Sequence, residues 1–359
     1  MRQPKVLLSQ SALAHNLLRV KQLAPHSNIV SMVKADAYGH GIEFALQSLS
    51  GSDAFGVACI QEARQIRELG YSQPITLIEG AFDLQEWHEA ADKHFECVIH
   101  QPQQVEWALN YPEAYQQNKL KIWLKLNAGM NRLGFQADEL FQVALKLRKA
   151  GFEIILTMHF ANADQVEHPL NQRQIDTFLK LKKELEPIEA SCCNSAAIFQ
   201  YPELHFDYVR PGIMLYGSSP FAEKTADNLG LKAVMHFQSH LIATHRIDSG
   251  QCIGYGSRYC TTRPTHLGIV AIGYGDGYPR ALTNAYVAIN GEKAVLLGRV
   301  SMDMLAVDLT DLNNHAAIGD KVTLWGDFPS VDEVAVTNST IGYELLCRLT
   351  QRPQRVIVP

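Results

Sequence analysis

A lysine ends the first strongly apolar run of this chain. Asn28-Ile29-Val30-Ser31-Met32-Val33-Lys34 leads into Ala35-Asp36-Ala37-Tyr38-Gly39-His40-Gly41. Ile29, Val30, Met32 and Val33 suit a buried parallel strand. Gly39 and Gly41 break the run and open a loop. A partly desolvated amine at such a strand end can form a Schiff base with an aldehyde cofactor. The alternative is a solvated lysine that merely ends a strand. Farther on, Cys193-Asn194-Ser195-Ala196-Ala197 and Val209-Arg210-Pro211-Gly212-Ile213 supply a hydroxyl at Ser195. They also supply, at Gly212, a backbone that a phosphate can approach. Lys125 and Arg132 bracket a turn, and His159 closes a sixth apolar run. In isolation these read as surface cations and a structural histidine.

These residues need a scaffold that gathers strand ends. Apolar runs at 28–33, 54–58, 75–78, 95–99, 121–126, 153–159, 188–192 and 206–209 alternate with helical patterns such as 61–69, 138–150 and 171–185. Eight such alternations predict an α/β region, a TIM-like (β/α)8 barrel, with an open doubly wound sheet as the alternative. In a barrel, Lys34 and the loops after strands seven and eight share the C-terminal mouth, where active sites and phosphate sites lie. A lysine for an aldehyde and a cradle for a phosphate then suggest pyridoxal phosphate.

The texture changes around 217–231, where Ser218-Ser219-Pro220 and Asp227-Asn228-Leu229-Gly230 read as turns and a linker. Closely spaced short runs follow at 240–244, 266–272, 286–289, 293–297, 304–308 and 321–325, an all-β pattern. Residues 1–230 are thus expected to form the barrel and 231–359 a mainly-β domain. A helix is expected near 339–350, capped by Thr337, Asn338 or Ser339. Gly254-Tyr255-Gly256, Gly273-Tyr274-Gly275-Asp276-Gly277 and Gly298-Arg299-Val300-Ser301-Met302-Asp303 do not make the GxGxxG dinucleotide pattern and read as hairpin turns.

The 359 residues are 47% hydrophobic, enough for a large core, and the net charge of −5 gives no basic field for nucleic acid. No apolar stretch approaches the ~18 residues that span a bilayer. The N-terminus Met1-Arg2-Gln3-Pro4-Lys5 lacks the apolar core of an export signal, so a cytoplasmic location is expected. Seven cysteines, with no CxxC pair, read as reduced thiols and give no metal site.

Six segments, in order, make the chain resemble the alanine racemase family. They are Val33-Lys34-Ala35-Asp36-Ala37-Tyr38-Gly39-His40-Gly41, Gly129-Met130-Asn131-Arg132-Leu133-Gly134-Phe135, Asn194-Ser195-Ala196-Ala197, Val209-Arg210-Pro211-Gly212-Ile213, Ile272-Gly273-Tyr274-Gly275-Asp276-Gly277 and Gly298-Arg299-Val300-Ser301-Met302-Asp303. The resemblance implies a pyridoxal phosphate enzyme, an amino-acid racemase (an isomerase), that interconverts L- and D-alanine. It links the activity to D-alanine, either made for cell-wall peptidoglycan or degraded. It further implies a head-to-tail homodimer with shared active sites and N-terminal residues that pack with the β domain. By similarity, Lys34 holds the cofactor as an aldimine and acts on the D-side of the α-carbon. Tyr255 of the partner subunit acts on the L-side. His159 sits beside Tyr255, with Arg210 behind it and facing the pyridine nitrogen. Tyr38, Asn194, Ser195, Gly212, Ile213 and Tyr343 match cofactor contacts. Arg132 and the Met302 backbone match substrate-carboxylate contacts. Lys125 matches a lysine that is carbamylated in some members and positions the arginine. Tyr274 matches a residue that narrows the entrance, and Asp303 lies beside Met302. Ser301 departs from relatives that carry cysteine there, and Ile253 from the valine expected before Gly254-Tyr255.

Three other readings stay in view. A broader-specificity racemase shares this architecture. A basic amino-acid decarboxylase uses a related one, against which the Tyr255 segment argues. A non-catalytic cofactor carrier lacks a β domain.

Overall fold

A computed structural model of the chain describes residues 4–280, 284–313 and 316–359. Its strands, in chain order, begin with β1 (Lys5–Ser9), β2 (Asn28–Met32), β3 (Ala54–Val57), β4 (Ile75–Leu77), β5 (Phe95–Ile99), β6 (Ile122–Lys125), β7 (Ile154–Thr157), β8 (Glu189–Ser191) and β9 (Tyr208–Val209). The second set is β10 (Met235–Ile247), β11 (Cys252–Ile253), β12 (Tyr259–Cys260), β13 (Thr265–Val270), β14 (Tyr286–Ile289), β15 (Glu292–Leu297), β16 (Leu305–Asp308), β17 (Lys321–Trp325) and β18 (Gln354–Val358).

Strands β2 to β9 form one parallel sheet in the order β8-β7-β6-β5-β4-β3-β2-β9. The expected barrel is therefore present, and the open doubly wound sheet is not. Arg210 N–H to Cys193 O (2.9 Å) and Ser191 Oγ to Tyr208 O (2.9 Å) close the circle between its two ends. Amphipathic helices such as Ala137–Lys149 bury Leu140, Val143, Ala144 and Leu147 against it. Inside, Val30, Ala54, Val98, Trp123 and Ile155 fill the barrel as a packed plug. The Trp123 indole reaches the Glu96 carboxylate at 2.7 Å, so its buried N–H is satisfied.

The other large sheet runs β13-β16-β15-β14-β17-β10-β1-β18, and β13 returns to pair with β10. A register shift between Leu241 and Ala243 lets the long β10 serve β1 and β17 with one half and β13 with the other. Phe237 and Trp325 meet in the core with ring centroids 4.8 Å apart. Strand β1 belongs to this sheet, antiparallel to β10 and parallel to β18.

Two expectations need correction. The helix expected over 339–350 is shorter, Gly342–Cys347, and a separate helix, Val331–Thr337, precedes it, with Ser339 left-handed (φ 52°) between them. None of Thr337, Asn338 and Ser339 caps Gly342–Cys347: it follows Ile341 without a side-chain cap, whereas the preceding helix is capped by Ser330, in a box where Ser330 and Glu333 bond each other's backbone N–H, at 3.1 and 2.8 Å. Nor are all seven cysteines free. The short β11–β12 hairpin sets Cys252 opposite Cys260 and joins them in a disulfide, leaving Cys59, Cys97, Cys192, Cys193 and Cys347 as thiols.

Candidate active site

The main cavity, about 610 Å³, opens at the C-terminal mouth of the barrel, with Val98 and Trp123 of the plug in its floor. Lys34, immediately beyond β2, lines it. The backbone then does something L-residues resist: Ala35, Asp36, Ala37 and Tyr38 all take φ between 52° and 54°. A left-handed turn costs roughly 1–2 kcal/mol per residue, so surrounding bonds must over-determine it. The Glu62 carboxylate accepts from Ala35 N–H at 2.6 Å and from Ala58 N–H at 2.8 Å. Asp36 accepts from Ile42 N–H through its side chain (2.8 Å) and from Gly41 N–H through its carbonyl (2.9 Å). Gly39 continues at φ 79° against the helix Gly342–Cys347, where a Cβ would stand 2.2 Å from Leu346 O. The turn thereby swings Tyr38 onto Tyr216, ring centroids 4.8 Å apart.

One end of the cavity suits a phosphate. Ser195 Oγ accepts from Gly212 N–H at 2.9 Å, which brings the loops after β8 and β9 together. A Cβ on Gly212 would lie 2.5 Å from the Tyr38 hydroxyl, so only glycine leaves this cradle open. The Ile213 N–H opens a 3₁₀ turn and has no acceptor within that turn. Asn194 caps the next helix, its side chain accepting from Ala197 N–H at 3.0 Å. Burial, reinforced by Tyr343 and Cys347, pushes the Tyr38 hydroxyl far above the usual tyrosine range and keeps it a donor. Burial does the same to Tyr343.

The other end is cationic. Arg210 is buried without a carboxylate; it donates to Thr157 Oγ1 (3.1 Å), to the Ser191 hydroxyl and to Met158 O (2.6 Å). Burial, then Arg210 and Arg132, lower Lys125 to about 8. Burial, then Arg210, Lys125, Arg132 and Lys34, hold His159 well below the usual histidine range, so its ring is neutral. Asn194 Nδ2 stands 3.5 Å from His159 Nε2. These groups suit an anionic, electron-rich ligand with a phosphate at one end and a carboxylate near Arg132.

Of the residues singled out from sequence, the cavity gathers Lys34, Tyr38, Lys125, Arg132, His159, Asn194, Ser195, Arg210, Gly212, Ile213 and Tyr343. It does not contain Tyr255, Tyr274, Met302 or Asp303. Tyr255 is 69% exposed and Met302 52% exposed, both on the β domain. Sequence reading missed Thr76, Glu79, Trp123, Thr157 and Cys347, which also line the cavity. Strand periodicity could have found Trp123 and Thr157, since alternate residues share a face with Lys125 and Ile155. Among the described residues no cluster of His, Cys, Asp and Glu could hold a metal. No described helix is long and apolar enough to cross a membrane.

Comparison with known proteins gives one answer. The profile "Alanine racemase, N-terminal domain" matches residues 8–220, and "Alanine racemase, C-terminal domain" matches 234–357. An alanine racemase of Psychrobacter sp. (strain PRwf-1) is 50% identical over the full length of both chains. The structure of alanine racemase from Acinetobacter baumannii superposes with a TM-score of 0.98, at 55% identity and full coverage of both chains. That from Bartonella henselae, with covalently bound pyridoxal phosphate, gives a TM-score of 0.90 at 29% identity and 99% coverage of both chains.

Proposed function

This chain belongs to the alanine racemase family and interconverts L- and D-alanine, and we propose that it does so with two bases drawn from two subunits: Lys34 of one barrel and the partner subunit's Tyr255. The observation that carries this reading is a mismatch. The cavity contains Lys34 and does not contain Tyr255, which stands exposed on the β domain. Inversion needs a proton taken from one face and returned to the other, and a homodimer supplies both. The division into a cofactor-holding barrel (1–230) and a β domain (231–359) that serves the partner's site belongs to the same proposal.

The residues present fit pyridoxal phosphate. Tyr38, Ser195, Gly212, Ile213 and Tyr343 would hold its phosphate, with Asn194 beside them, and Arg210 would face its ring nitrogen. When bound, the group supplies an aldehyde carbon for an amine and a conjugated ring that acidifies the substrate's α-hydrogen. Lys34 Nζ, at the strand end, is placed to hold or deliver the proton on its side. Arg132 orients the substrate carboxylate. Neutral His159, backed by Arg210, is suited to relay a proton to or from the partner's tyrosine. Arg210 can only donate, so a ring nitrogen set against it stays unprotonated. That damps electron withdrawal and disfavours transamination. Lys125, with a lowered pKa, offers the neutral amine that carbamylation requires, and the resulting anion would pair with Arg132.

A cytoplasmic location remains part of the proposal; the five free cysteines support it and the Cys252–Cys260 disulfide does not. The test is a circular-dichroism assay of cofactor-loaded protein with L-alanine in deuterated water. Loss of optical signal with deuterium at the α-carbon of both enantiomers is expected. A stable signal without exchange overturns the reading.

A further inference from the structure

We propose that Arg352 is a positioning residue for the substrate: it sets the Met302 amide so that its N–H faces the alanine carboxylate in the partner subunit's cavity. This rests on the reading above that the β-domain face completes a partner's site. Two loops carry the exposed side chains of that face, 273–277 with Tyr274 and 301–304 with Met302. Tyr274 N–H donates to Ser301 O at 3.1 Å, and Gly275 N–H donates to Met302 O at 2.9 Å. Two successive carbonyls of the second loop therefore turn inward. The intervening peptide is not among the cis bonds, and in a trans peptide the carbonyl and the following N–H point in opposite directions. An inward Ser301 carbonyl thus drives the Met302 N–H outward. Among the described residues that N–H donates to no acceptor, an open donor on an exposed loop.

Arg352 locks this arrangement from behind the first loop. Its Nη2 donates to Met302 O (3.3 Å), its Nη1 to Asp303 Oδ1 (2.7 Å) and its Nε to Asp276 Oδ1 (2.6 Å). Asp276 is fully buried, and its second oxygen accepts from Gly273 N–H at 2.9 Å. Thr350 fastens the same loop, its hydroxyl donating to Gly275 O at 3.0 Å. One rigid fork therefore joins both loops, and its contacts on the second loop, Met302 O and Asp303 Oδ1, fall directly after the open N–H. A lysine offers a single point charge and cannot hold three acceptors in that geometry.

The experiment compares Arg352→Lys and Arg352→Gln as cofactor-loaded enzymes, after melting and sedimentation runs. Arg352→Gln removes the ion pair at the buried Asp276 carboxylate and is expected to lower the melting temperature. Arg352→Lys keeps a cation there and is the informative variant. Its KM for alanine is expected to rise about tenfold in both directions with kcat nearly unchanged, the size of one misplaced hydrogen bond to a carboxylate. Inhibition by propionate, a carboxylate without the amine, weakens by the same factor, while inhibition by ethylamine, an amine without the carboxylate, does not move. A folded, dimeric Arg352→Lys enzyme with unchanged KM overturns the proposal. So does equal weakening of both inhibitors, which is general loosening. Mixed dimers separate the proposal from the reading beneath it. With Lys34→Ala in one chain and Tyr255→Phe in the other, Arg352→Lys should raise KM only when it rides on the Lys34→Ala chain, the donor of Tyr255. If mixed dimers gain no activity at all, the shared site fails. If they gain activity and the effect follows the other chain, the site stands and the role of Arg352 falls.

Discussion

The barrel mouth and the β-domain face carry the same enzyme's chemistry in opposite styles. At the mouth, burial shifts Arg210, His159, Lys125 and Tyr38, and neighbouring cations add to the shift at His159 and Lys125. On the face, Tyr255, Tyr274 and Met302 are exposed, and order comes from backbone bonds and the Arg352 fork. A buried site tunes its groups before anything binds. An exposed one has only its shape to offer and needs a second surface to acquire an environment. That difference is what the proposed sharing of sites between two subunits calls for.

The largest break comes from Lys34→Ala, which removes the base proposed for the mouth. Racemisation measured by circular dichroism is expected to fall by at least about 10³-fold, the scale of losing a residue that acts in a unit. Tyr255→Phe should lose about 10²–10⁴-fold, the usual worth of a general acid–base group, while its cofactor absorbance stays that of wild type. Mixing these two inactive proteins sharpens the comparison. Half of randomly assembled dimers are mixed and each has one intact site of two, so activity should return to roughly a quarter of wild type. No recovery after subunit exchange would place both bases in one chain.

A smaller effect belongs to the cradle. Gly212→Ala drives a methyl group toward the Tyr38 hydroxyl, 2.5 Å away, and should weaken pyridoxal phosphate binding by about tenfold or more, the cost of overpacking. A fluorescence titration reads it directly, and unchanged affinity would move the phosphate elsewhere. The smallest is a pH effect at Lys125. Its pKa of about 8 lies below that of ordinary lysine, so its neutral fraction grows as pH rises through 8. At fixed dissolved ¹³CO₂, the carbamate carbon signal should grow from pH 6.5 to 8.5 and vanish in Lys125→Ala. A signal independent of Lys125 would assign it to another amine.

The barrel was legible because each of its strands is a self-contained apolar run bounded by turn residues, with its sheet neighbours next in sequence. Strands β1 and β18 were not read as strands, because each finds its partner across most of the chain, Lys5 opposite Gln354. The Cys252–Cys260 hairpin has two-residue strands, too short for any periodicity to register. Lys34, Ser195 and Gly212 announced themselves by type and place. Arg352 did not, since a fork that orients a neighbouring loop leaves no spacing signature. The left-handed turn at 35–38 was equally silent: three of its residues are Ala and Asp, and the Glu62 carboxylate that braces it comes from a separate segment.

The parallel pairing of β1 with β18 also sets a timetable. The ribosome delivers Lys5–Ser9 before any barrel strand and Gln354–Val358 after all the others. Residues 28–209 can close into a barrel while synthesis continues. The first strand, however, has β10 on one side and β18 on the other, and both arrive later. Its edge stays unpaired for most of translation. The β domain, with the face proposed to serve another subunit, is complete only once β18 has been made, so a shared site could form only after that strand is in place.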